Sequence, residues 1–362
     1  MAFILLFQLS KKELFISGFL ISLVWFWWIG YSFVHYDLVF LIPLVLLAIG
    51  ILYGVLFYLI GLSQNIFYKM GYIFLLSFID PFGFNWFKLE LPFINSYLGT
   101  SKIEFFFILL FITLFLKFKE KYVKISYSLF IFSFCILSIL NYPKQDKVIK
   151  PNLKITQHQT MVNQSIKWKH QYKDQIINDN LKAIEKAILE KSDLIILPET
   201  AFPLVLNRSE KINTKLLSLS TQISIVTGAL YKKDGLFYNS TYFYNNGKVQ
   251  VAHKVVLVPF GESVPLPEKI RNFINDTFYN GASDYETAKE PTTFDIKGTK
   301  FRNAICFEAT TDTIYKKLDT PYIIVISNNA WFTPSIQPTL QNLLLKYYQQ
   351  KYNLYYFNTT NY

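Results

Sequence analysis

Arginine, histidine and cysteine are scarce in this chain of 362 residues. Only three of its 36 basic residues are arginines, and the lysines are scattered singly among apolar and acidic positions. Because arginine forks make many of the base and phosphate contacts of nucleic-acid-binding proteins, the net charge of +11 does not indicate a nucleic acid as partner. Attraction to anionic lipid is the simpler explanation for such a charge on a membrane protein.

The shortage of histidine and cysteine also limits which cofactors the chain can hold. Its four histidines lie far apart, and it has neither a glycine-rich phosphate loop nor a paired-histidine zinc motif, so we expect no cofactor and no metal. Of the two cysteines, Cys135 lies in an apolar run and Cys306 in the polar half, so a disulfide between them is not expected. An unpaired Cys306 in an exported domain is a candidate reactive thiol.

Polar residues are rare before residue 142, and the whole chain is 52% hydrophobic. This half contains runs of about 20 apolar residues, the length at which a helix crosses a hydrocarbon core of about 30 Å. We predict a transmembrane helical domain over residues 1–141 with about five spans. The predicted spans are 14–34, 38–62, 66–80, 103–118 and 125–141.

Lysines predict the orientation of these spans. Lys11 and Lys12 precede the first span, Lys69 is assigned to the loop between the second and third, and four lysines within 117–124 separate the last two. Because lysine-rich loops stay in the cytoplasm, an odd number of spans places residues 142–362 outside it. We therefore expect a multi-pass membrane protein whose second half lies outside the cytoplasm, in the periplasm if the cell has one.

Residues 142–362 alternate strand-like and helix-like patterns, which is typical of a layered α/β domain. A short apolar run that ends at Pro198 predicts a buried strand just before Glu199. The other predicted strands are 153–158, 222–228, 237–244, 249–254, 301–307 and 322–327. The predicted helices are 171–190, 267–275, 310–318 and 336–350.

Three predicted strand ends carry an ionisable side chain in apolar company: Glu199, Lys254 and Cys306. Ligands of α/β domains bind beyond the carboxyl ends of strands. Acyl transfer through a thiol needs a base for the thiol proton and a positive or hydrogen-bonding group near the oxygen that becomes charged. These three residues have the chemistry of base, cation and nucleophile.

Each of them also has an ordinary interpretation. The apolar neighbours of Cys306 are also those of an inert core cysteine. Glu199 could instead cap a helix, and Lys254 could be a solvated surface charge. A cysteine and histidine pair with His253 as the base is the rival chemistry. Because neighbouring strand residues point to opposite faces, His253 and Lys254 are not both expected in one site.

Four segments resemble successive signatures of the apolipoprotein N-acyltransferases, a family of the nitrilase or carbon-nitrogen hydrolase superfamily. The most specific is 254–265, a lysine followed by an apolar loop that contains proline, glycine and glutamate. The other three are 197–203, 306–308 and 327–332. Weaker matches are 164–168, 238–240, 28–30 and 84–86.

This resemblance implies an αββα sandwich in which Glu199 is the general base, Lys254 stabilises the charged intermediate and Cys306 is the nucleophile. It implies that a phospholipid donates the acyl group, which Cys306 holds as a thioester. The implied acceptor is the diacylglyceryl-modified cysteine at the N-terminus of an apolipoprotein. Further residues that match ones the family needs are Glu262, Glu308 and Trp168.

Two features depart from the family pattern. Phe307 stands where the family usually has a tyrosine next to the nucleophile. Family members also begin further upstream and continue beyond Tyr362, so we expect truncation at both ends and a second domain, 142–362, that is incomplete at its C-terminus. Two alternatives stay open: a catalytically silent membrane protein, and a membrane-tethered amide hydrolase that uses the same three residues with water as acceptor.

Overall fold

The structure is a computed structural model that describes residues 2–118, 131–132, 135, 148–278 and 284–362. The chain divides into two compact units, Met1–Asp146 and Lys147–Tyr362. The predicted domain boundary after residue 141 lies outside the described residues and stays a prediction.

The described part of the N-terminal unit is helical. Its helices are α1 (Ala2–Gln8), α2 (Lys11–Phe26), α3 (Gly30–Val34), α4 (Ile42–Ile60), α5 (Ile66–Leu76) and α6 (Lys102–Phe118). Helix α2 begins at a capping box, in which the Ser10 N–H donates to the Glu13 carboxylate at 2.8 Å and the Ser10 hydroxyl accepts from the Glu13 N–H. Helix α5 begins after Asn65, whose side chain accepts a hydrogen bond from the Phe67 N–H at 2.8 Å.

Two helical stretches, Lys11–Val34 with 24 residues and Val39–Ile60 with 22, are long and apolar enough to cross a membrane. They coincide with the first two predicted spans. Helix α5 has 11 residues and rises about 16 Å, which is less than a hydrocarbon core of about 30 Å. The described part of α6 has 17 residues and rises about 25 Å. The fifth predicted span, 125–141, lies almost entirely outside the described residues, and the number of five spans stays a prediction.

Lys69 does not lie in a loop, contrary to the prediction. It belongs to α5 and is 2% exposed, and its ammonium donates to the backbone oxygens of Phe7 at 2.9 Å and Leu9 at 3.2 Å. A buried cation at the end of α1 satisfies carbonyls that the helix leaves without an intrahelical partner. The charge therefore stabilises the contact between α1 and α5, and it carries no information about membrane orientation.

Aromatic residues connect α2 to the segment before α6. The indole N–H of Trp25 donates to the Trp86 backbone oxygen at 3.0 Å, and the Trp28 and Trp86 ring centroids lie 5.2 Å apart. The same segment carries Glu90, fully buried and 2.7 Å from the Lys102 ammonium of α6. The contact between Trp28 and Trp86 joins the two weak motif matches of this half, 28–30 and 84–86.

Helices α2 and α4 contact each other closely at Gly18. A Cβ added there would lie 2.5 Å from the Tyr53 backbone oxygen and 2.7 Å from the Phe57 Cβ. Small residues allow this kind of helix contact in membranes.

We expect Gly18→Ala to lower the free energy of unfolding of the detergent-solubilised protein by about 1–3 kcal/mol, because an extra methyl group forces the two helices apart. Thermal unfolding measures the effect. Gly71→Ala on α5 is the matched control, since among the described residues a Cβ added there would have no heavy atom within 4 Å apart from its chain neighbours and its own helix backbone. Equal unfolding temperatures for both variants would contradict the close contact.

The C-terminal unit contains two β-sheets. The first has the order β1-β2-β3-β4-β5, with β1 to β3 parallel and β4 and β5 antiparallel, and the second has the order β6-β7-β8-β9. The strands are β1 (Ile155–Gln157), β2 (Leu194–Ile196), β3 (Ser224–Lys233), β4 (Leu236–Asn245), β5 (Lys248–His253), β6 (Thr293–Ile296), β7 (Thr299–Ile305), β8 (Tyr322–Asn328) and β9 (Tyr355–Asn361). The helices are α7 (Gln164–Lys167), α8 (His170–Leu189), α9 (Glu210–Leu219), α10 (Glu268–Phe278) and α11 (Gln337–Tyr352).

The main core of this unit lies between the two sheets. Leu194 and Ile196 of the first sheet pack with Ile305 and Ile324 of the second. Ile195 points the other way, into a second core that α8 and α9 cover. Both faces of β2 are therefore buried, which explains its uninterrupted apolar sequence. Two stacked sheets with helices outside them form the layered α/β domain that the sequence predicts.

Helices α7 and α9 are present although they were not predicted, and most of the predicted elements of this unit are present. Three further differences concern residues 310–318 and two strands. The predicted helix 310–318 is wrong, because two 3₁₀ helices, Cys306–Thr310 and Asp312–Tyr315, occupy this region. Strands β6 and β9 were not predicted. Strand β9 pairs in parallel with β8, and Asn361 at its end donates to the Val162 backbone oxygen at 2.8 Å.

Candidate active site

Glu199 follows β2 in a tight turn. The Leu197 N–H donates to the Val226 backbone oxygen at 2.8 Å, after which Pro198 ends the sheet pairing. Thr200 has a left-handed φ of 49°. Glu199 is only 7% exposed, so the end of β2 places a carboxylate in the interior of the domain.

The turn fits because Gly228 of β3 lies against it. A Cβ at position 228 would be 2.5 Å from the Thr200 backbone nitrogen and 2.7 Å from the Glu199 Cα. The Gly228 N–H also donates to the Pro198 oxygen at 3.2 Å. The missing side chain therefore permits the close approach of two backbones that positions Glu199.

Lys254 follows β5 and is fully buried. Its N–H donates to the Asn239 oxygen at 2.9 Å, and its ammonium Nζ lies 2.7 Å from Oε2 of Glu262. Burial lowers the pKa of Lys254, but the negative charges of Glu262 and Glu199 raise it by more, so this pKa lies above its usual value. Lys254 therefore keeps its positive charge.

Asn239 of β4 joins the two carboxylates around this lysine. Its Nδ2 donates to Oε1 of Glu199 and to Oε1 of Glu262, each at 2.8 Å. Burial and the negative charge of Glu262 raise the pKa of Glu199, whereas the positive charge of Lys254 lowers it. Burial has the largest effect, so the pKa of Glu199 lies above its usual range. A carboxylate with a raised pKa is the better proton acceptor.

Cys306 follows β7 and begins the 3₁₀ helix Cys306–Thr310 with a left-handed φ of 54°. Cys306 is partly buried. Burial and the charge of Glu199 raise the pKa of the thiol to about 12, although Lys254 and a backbone hydrogen bond from Asn328 oppose this shift. The free thiol is therefore protonated at neutral pH and needs a base to become a nucleophile.

Glu308 connects the turn at Cys306 to the loop after Lys254. Its Oε1 accepts from the Ile305 N–H at 2.8 Å, and its Oε2 accepts from the Val255 N–H at 2.7 Å. Burial raises the pKa of Glu308 to about 7, although Lys254 and these backbone donors lower it. One carboxylate thus holds two chain segments that carry proposed site residues.

Lys167, at the end of α7, is a second buried lysine and was not predicted as a site residue. Its Nζ donates to the Glu199 backbone oxygen at 3.2 Å. Burial lowers the pKa of Lys167 to about 7, and the charge of Glu199 offsets only part of this shift. Trp168, the predicted supporting residue, follows directly and is 44% exposed. Lys167 and Asn239 lie within the weak motif matches 164–168 and 238–240, which were the only features of the sequence that pointed to these two residues.

His253 lies on a different side of β5 from Lys254. Its Nδ1 is 2.8 Å from the Ser240 Oγ, and its ring centroid is 4.4 Å from that of Tyr238 and 4.8 Å from that of Tyr231. Burial lowers the pKa of His253 and the charge of Lys233 adds to this shift. This geometry gives no support to His253 as the base for Cys306.

The structure brings Glu199, Lys254, Cys306, Glu262 and Glu308 together at the ends of strands from both sheets. In the described ranges, no three His, Cys, Asp or Glu side chains are arranged to hold a metal ion. The carboxylates of the site instead bind a lysine, an amide and backbone N–H groups. The arrangement suits proton transfer and charge stabilisation at a sulfur nucleophile.

Comparison with known proteins gives a family for each half of the chain. The apolipoprotein N-acyltransferase integral membrane domain matches residues 1–136, and the carbon-nitrogen hydrolase family matches residues 160–362. A carbon-nitrogen hydrolase domain that follows an integral membrane domain defines a membrane-bound enzyme of the nitrilase superfamily.

Curated relatives resemble nearly the whole chain. The apolipoprotein N-acyltransferase of Wolinella succinogenes is 41% identical over 346 residues, which cover 95% of this chain and 82% of the relative. The apolipoprotein N-acyltransferase of Helicobacter hepaticus is 38% identical, and the match covers 97% of this chain and 87% of the relative. That of Campylobacter jejuni is 34% identical, and the match covers 99% of this chain and 79% of the relative. The chain belongs to the apolipoprotein N-acyltransferase family and is an acyltransferase with a membrane domain.

Solved structures resemble the C-terminal part at low sequence identity. A CN-hydrolase superfamily protein from Xanthomonas campestris is 16% identical with a TM-score of 0.44, and the match covers 59% of this chain and 77% of that one. An amidase from Nesterenkonia is 10% identical with a TM-score of 0.42 and covers 60% and 80%.

We expect Gly228→Ala to lower the rate of acyl transfer in a protein that still folds, because the added Cβ pushes against the Glu199 backbone. Overpacking should lower the free energy of unfolding by about 1–3 kcal/mol, which leaves a folded protein with a displaced carboxylate. Initial rates and thermal unfolding are measured together, with Gly71→Ala as the control. A Gly228→Ala protein with the wild-type rate would contradict the proposed positioning.

Proposed function

We propose that this protein transfers a fatty acyl chain from a phospholipid to the α-amino group of the diacylglyceryl-modified cysteine at the N-terminus of an apolipoprotein. Glu199 is the base, Lys254 stabilises the oxyanion and Cys306 carries the acyl group as a thioester. The observation that carries this proposal is the fully buried ammonium of Lys254, which lies 2.7 Å from the Glu262 carboxylate, while the Asn239 amide donates to both Glu262 and Glu199.

In the first half-reaction, Glu199 takes the proton of the Cys306 thiol while the sulfur attacks the ester carbonyl carbon of the phospholipid. The carbonyl oxygen becomes negative and is stabilised by the Lys254 ammonium. When the carbon–oxygen ester bond breaks, the lysophospholipid leaves as an alcohol that takes the proton from Glu199. A base with a raised pKa suits both steps, because it must accept the proton and return it.

In the second half-reaction, the lipoprotein amine attacks the thioester and gives a proton to Glu199. The tetrahedral oxyanion again faces Lys254. Breakage of the carbon–sulfur bond releases the amide, and the Cys306 sulfur recovers its proton. The same three side chains serve both halves, so no further group is needed to balance the protons.

Glu262, Glu308 and Trp168 support this chemistry in the proposal. Glu262 fixes the Lys254 ammonium by their contact at 2.7 Å. Glu308 holds the turn of the nucleophile against the loop after Lys254 through the hydrogen bonds given above. Trp168 follows Lys167 and is 44% exposed, and its proposed role is to contact the substrate with its ring.

We further propose a location in the inner membrane, with five spans and a periplasmic catalytic half. Lys11 and Lys12 at the start of the first candidate span and the lysines within 117–124 support a cytoplasmic start. A phospholipid donor also favours a membrane-anchored enzyme, because the acyl chains do not leave the bilayer freely.

The two alternatives are separated by their products. A silent protein would not need a buried ammonium held by carboxylates beside a thiol, since unneeded buried charges are costly to keep. An amide hydrolase would use the same residues but release ammonia from small amides.

Incubation of the membrane-embedded protein with labelled phospholipid should give a hydroxylamine-sensitive adduct on Cys306, because a thioester is cleaved by that reagent. Cys306→Ala should give none, and Cys135→Ser, at the other cysteine of the chain, should label like the wild type. Equal labelling of Cys306→Ala would show that the mechanism is wrong. An unlabelled wild type that releases ammonia from amides would favour the hydrolase.

We expect the rate of adduct formation to rise with pH through the pKa of Glu199, which lies above its usual range, because only the ionised form accepts the proton. Lys254→Met should slow the reaction by about 10²–10³-fold. It should also move the midpoint to higher pH, since the loss of a nearby cation raises the pKa of Glu199 further. The matched control is Lys248→Met, an exposed lysine at the start of the same strand. An unchanged rate and midpoint in folded Lys254→Met would refute the role of the ammonium.

A further inference from the structure

We infer that Gln341 is a thiolate-stabilising residue of this site, which donates a hydrogen bond to the Cys306 sulfur. The inference rests on the proposed function in that it takes Cys306 as the nucleophile. Gln341 is fully buried on α11 and lies outside every motif match of the sequence. A buried amide that contacts the reacting atom has a chemical consequence, because it favours one protonation state of the sulfur over the other.

The carboxamide of Gln341 has partners on both sides. Its Nε2 lies 3.8 Å from the Cys306 Sγ and 3.2 Å from the Ser327 Oγ, so its two hydrogens are directed at the sulfur and at a hydroxyl. Its Oε1 accepts from the Asn329 Nδ2 at 2.9 Å. Sulfur is larger than oxygen, so a donor at this separation is within reach.

Gln341 is the last of three buried amides that form a hydrogen-bonded chain. The Gln337 Nε2 donates to the Asn329 Oδ1 at 3.3 Å, and the Asn329 Nδ2 in turn donates to the Gln341 Oε1. All three side chains are at most 2% exposed. At the end of this chain Gln341 presents its amide nitrogen to Cys306.

An amide donor stabilises a thiolate more than a thiol, because hydrogen bonds to ionised acceptors are the stronger ones. At Cys306 this opposes the burial and the Glu199 charge that raise the thiol pKa. The same bond strengthens whenever charge develops on sulfur, both when the thiol attacks and when the thiolate leaves the tetrahedral intermediate. A neutral donor does this without adding a charge that would pair with Glu199.

The test measures the sulfur directly by alkylation of Cys306 with iodoacetamide across a pH series, on the full chain in detergent and in a Cys135→Ser background. Gln341→Met should slow alkylation about tenfold or more at a given pH, because a hydrogen bond to a charged group is lost. Gln341→Glu keeps the size and the acceptor for Asn329 but has no donor when ionised, so it should slow alkylation at least as much. The control is Gln349→Met, the same substitution at an exposed position of α11.

Thermal unfolding identifies any variant that loses its fold. If Gln341→Met is unfolded, the alkylation rate of Gln341→Glu tests the inference instead. Wild-type alkylation rates in a folded Gln341 variant would overturn the inference. Alkylation does not require acyl transfer, so the two proposals fail separately. A slowed Gln341 variant of a protein that forms no acyl adduct would support the hydrogen bond and reject the proposed function.

Discussion

The rest of the site depends on the buried ammonium of Lys254. A charge with no solvent is tolerated only when opposite charges and hydrogen bonds surround it, and loss of one partner from a buried pair costs about 3–5 kcal/mol. Here Glu262 supplies the contact at 2.7 Å, and Asn239 holds Glu262 and Glu199 on either side of its amide. The need to neutralise the buried ammonium therefore acts together with the local turn at Glu199 to set the geometry of base and cation.

Lys167 shows what happens to a similar side chain without such partners. Both lysines are buried, but the Lys167 ammonium faces the backbone oxygen of Glu199 at 3.2 Å, whereas Lys254 faces carboxylates. A carbonyl dipole offsets less of the desolvation cost than a full charge, so the pKa of Lys167 falls to about 7 while that of Lys254 rises. The two lysines hence belong to one site but only Lys254 is a permanent cation at neutral pH.

Seven of the nine strands, and the places where the site-bearing ones end, could be predicted from the sequence because they are short apolar runs stopped by a polar residue or proline. Glu199, Lys254 and Cys306 are visible for that reason, and the motif resemblance added Glu262, Glu308 and Trp168. Asn239 and Gln341 were missed, because their partners lie 40 and 35 positions away along the chain and pair only in the folded domain.

The errors have equally local causes. The helix predicted over 310–318 does not form because the hydroxyls of Thr310 and Thr311 donate to the backbone oxygens of Phe307 and Glu308, which competes with helical hydrogen bonding. Strand β9 was missed because its final residues, 358–361, are all polar, a composition typical of turns. In the membrane half, the apolar pattern gave the first two spans but could not show that the cation of Lys69 is buried against α1.

The carboxylates of Glu262 and Glu308 also explain how the apolar loop after Lys254 keeps its shape without belonging to a sheet. Glu308 accepts the Val255 N–H at 2.7 Å, and Glu262 accepts the Val258 N–H at 2.9 Å. Backbone donors that would otherwise attract another strand are thereby occupied. The side chains of 255–258 remain only partly buried, so the loop offers apolar surface while its backbone is fixed. Since the same carboxylates contact Lys254 and the turn of Cys306, an acyl chain that packed on this loop would be placed relative to both reacting groups.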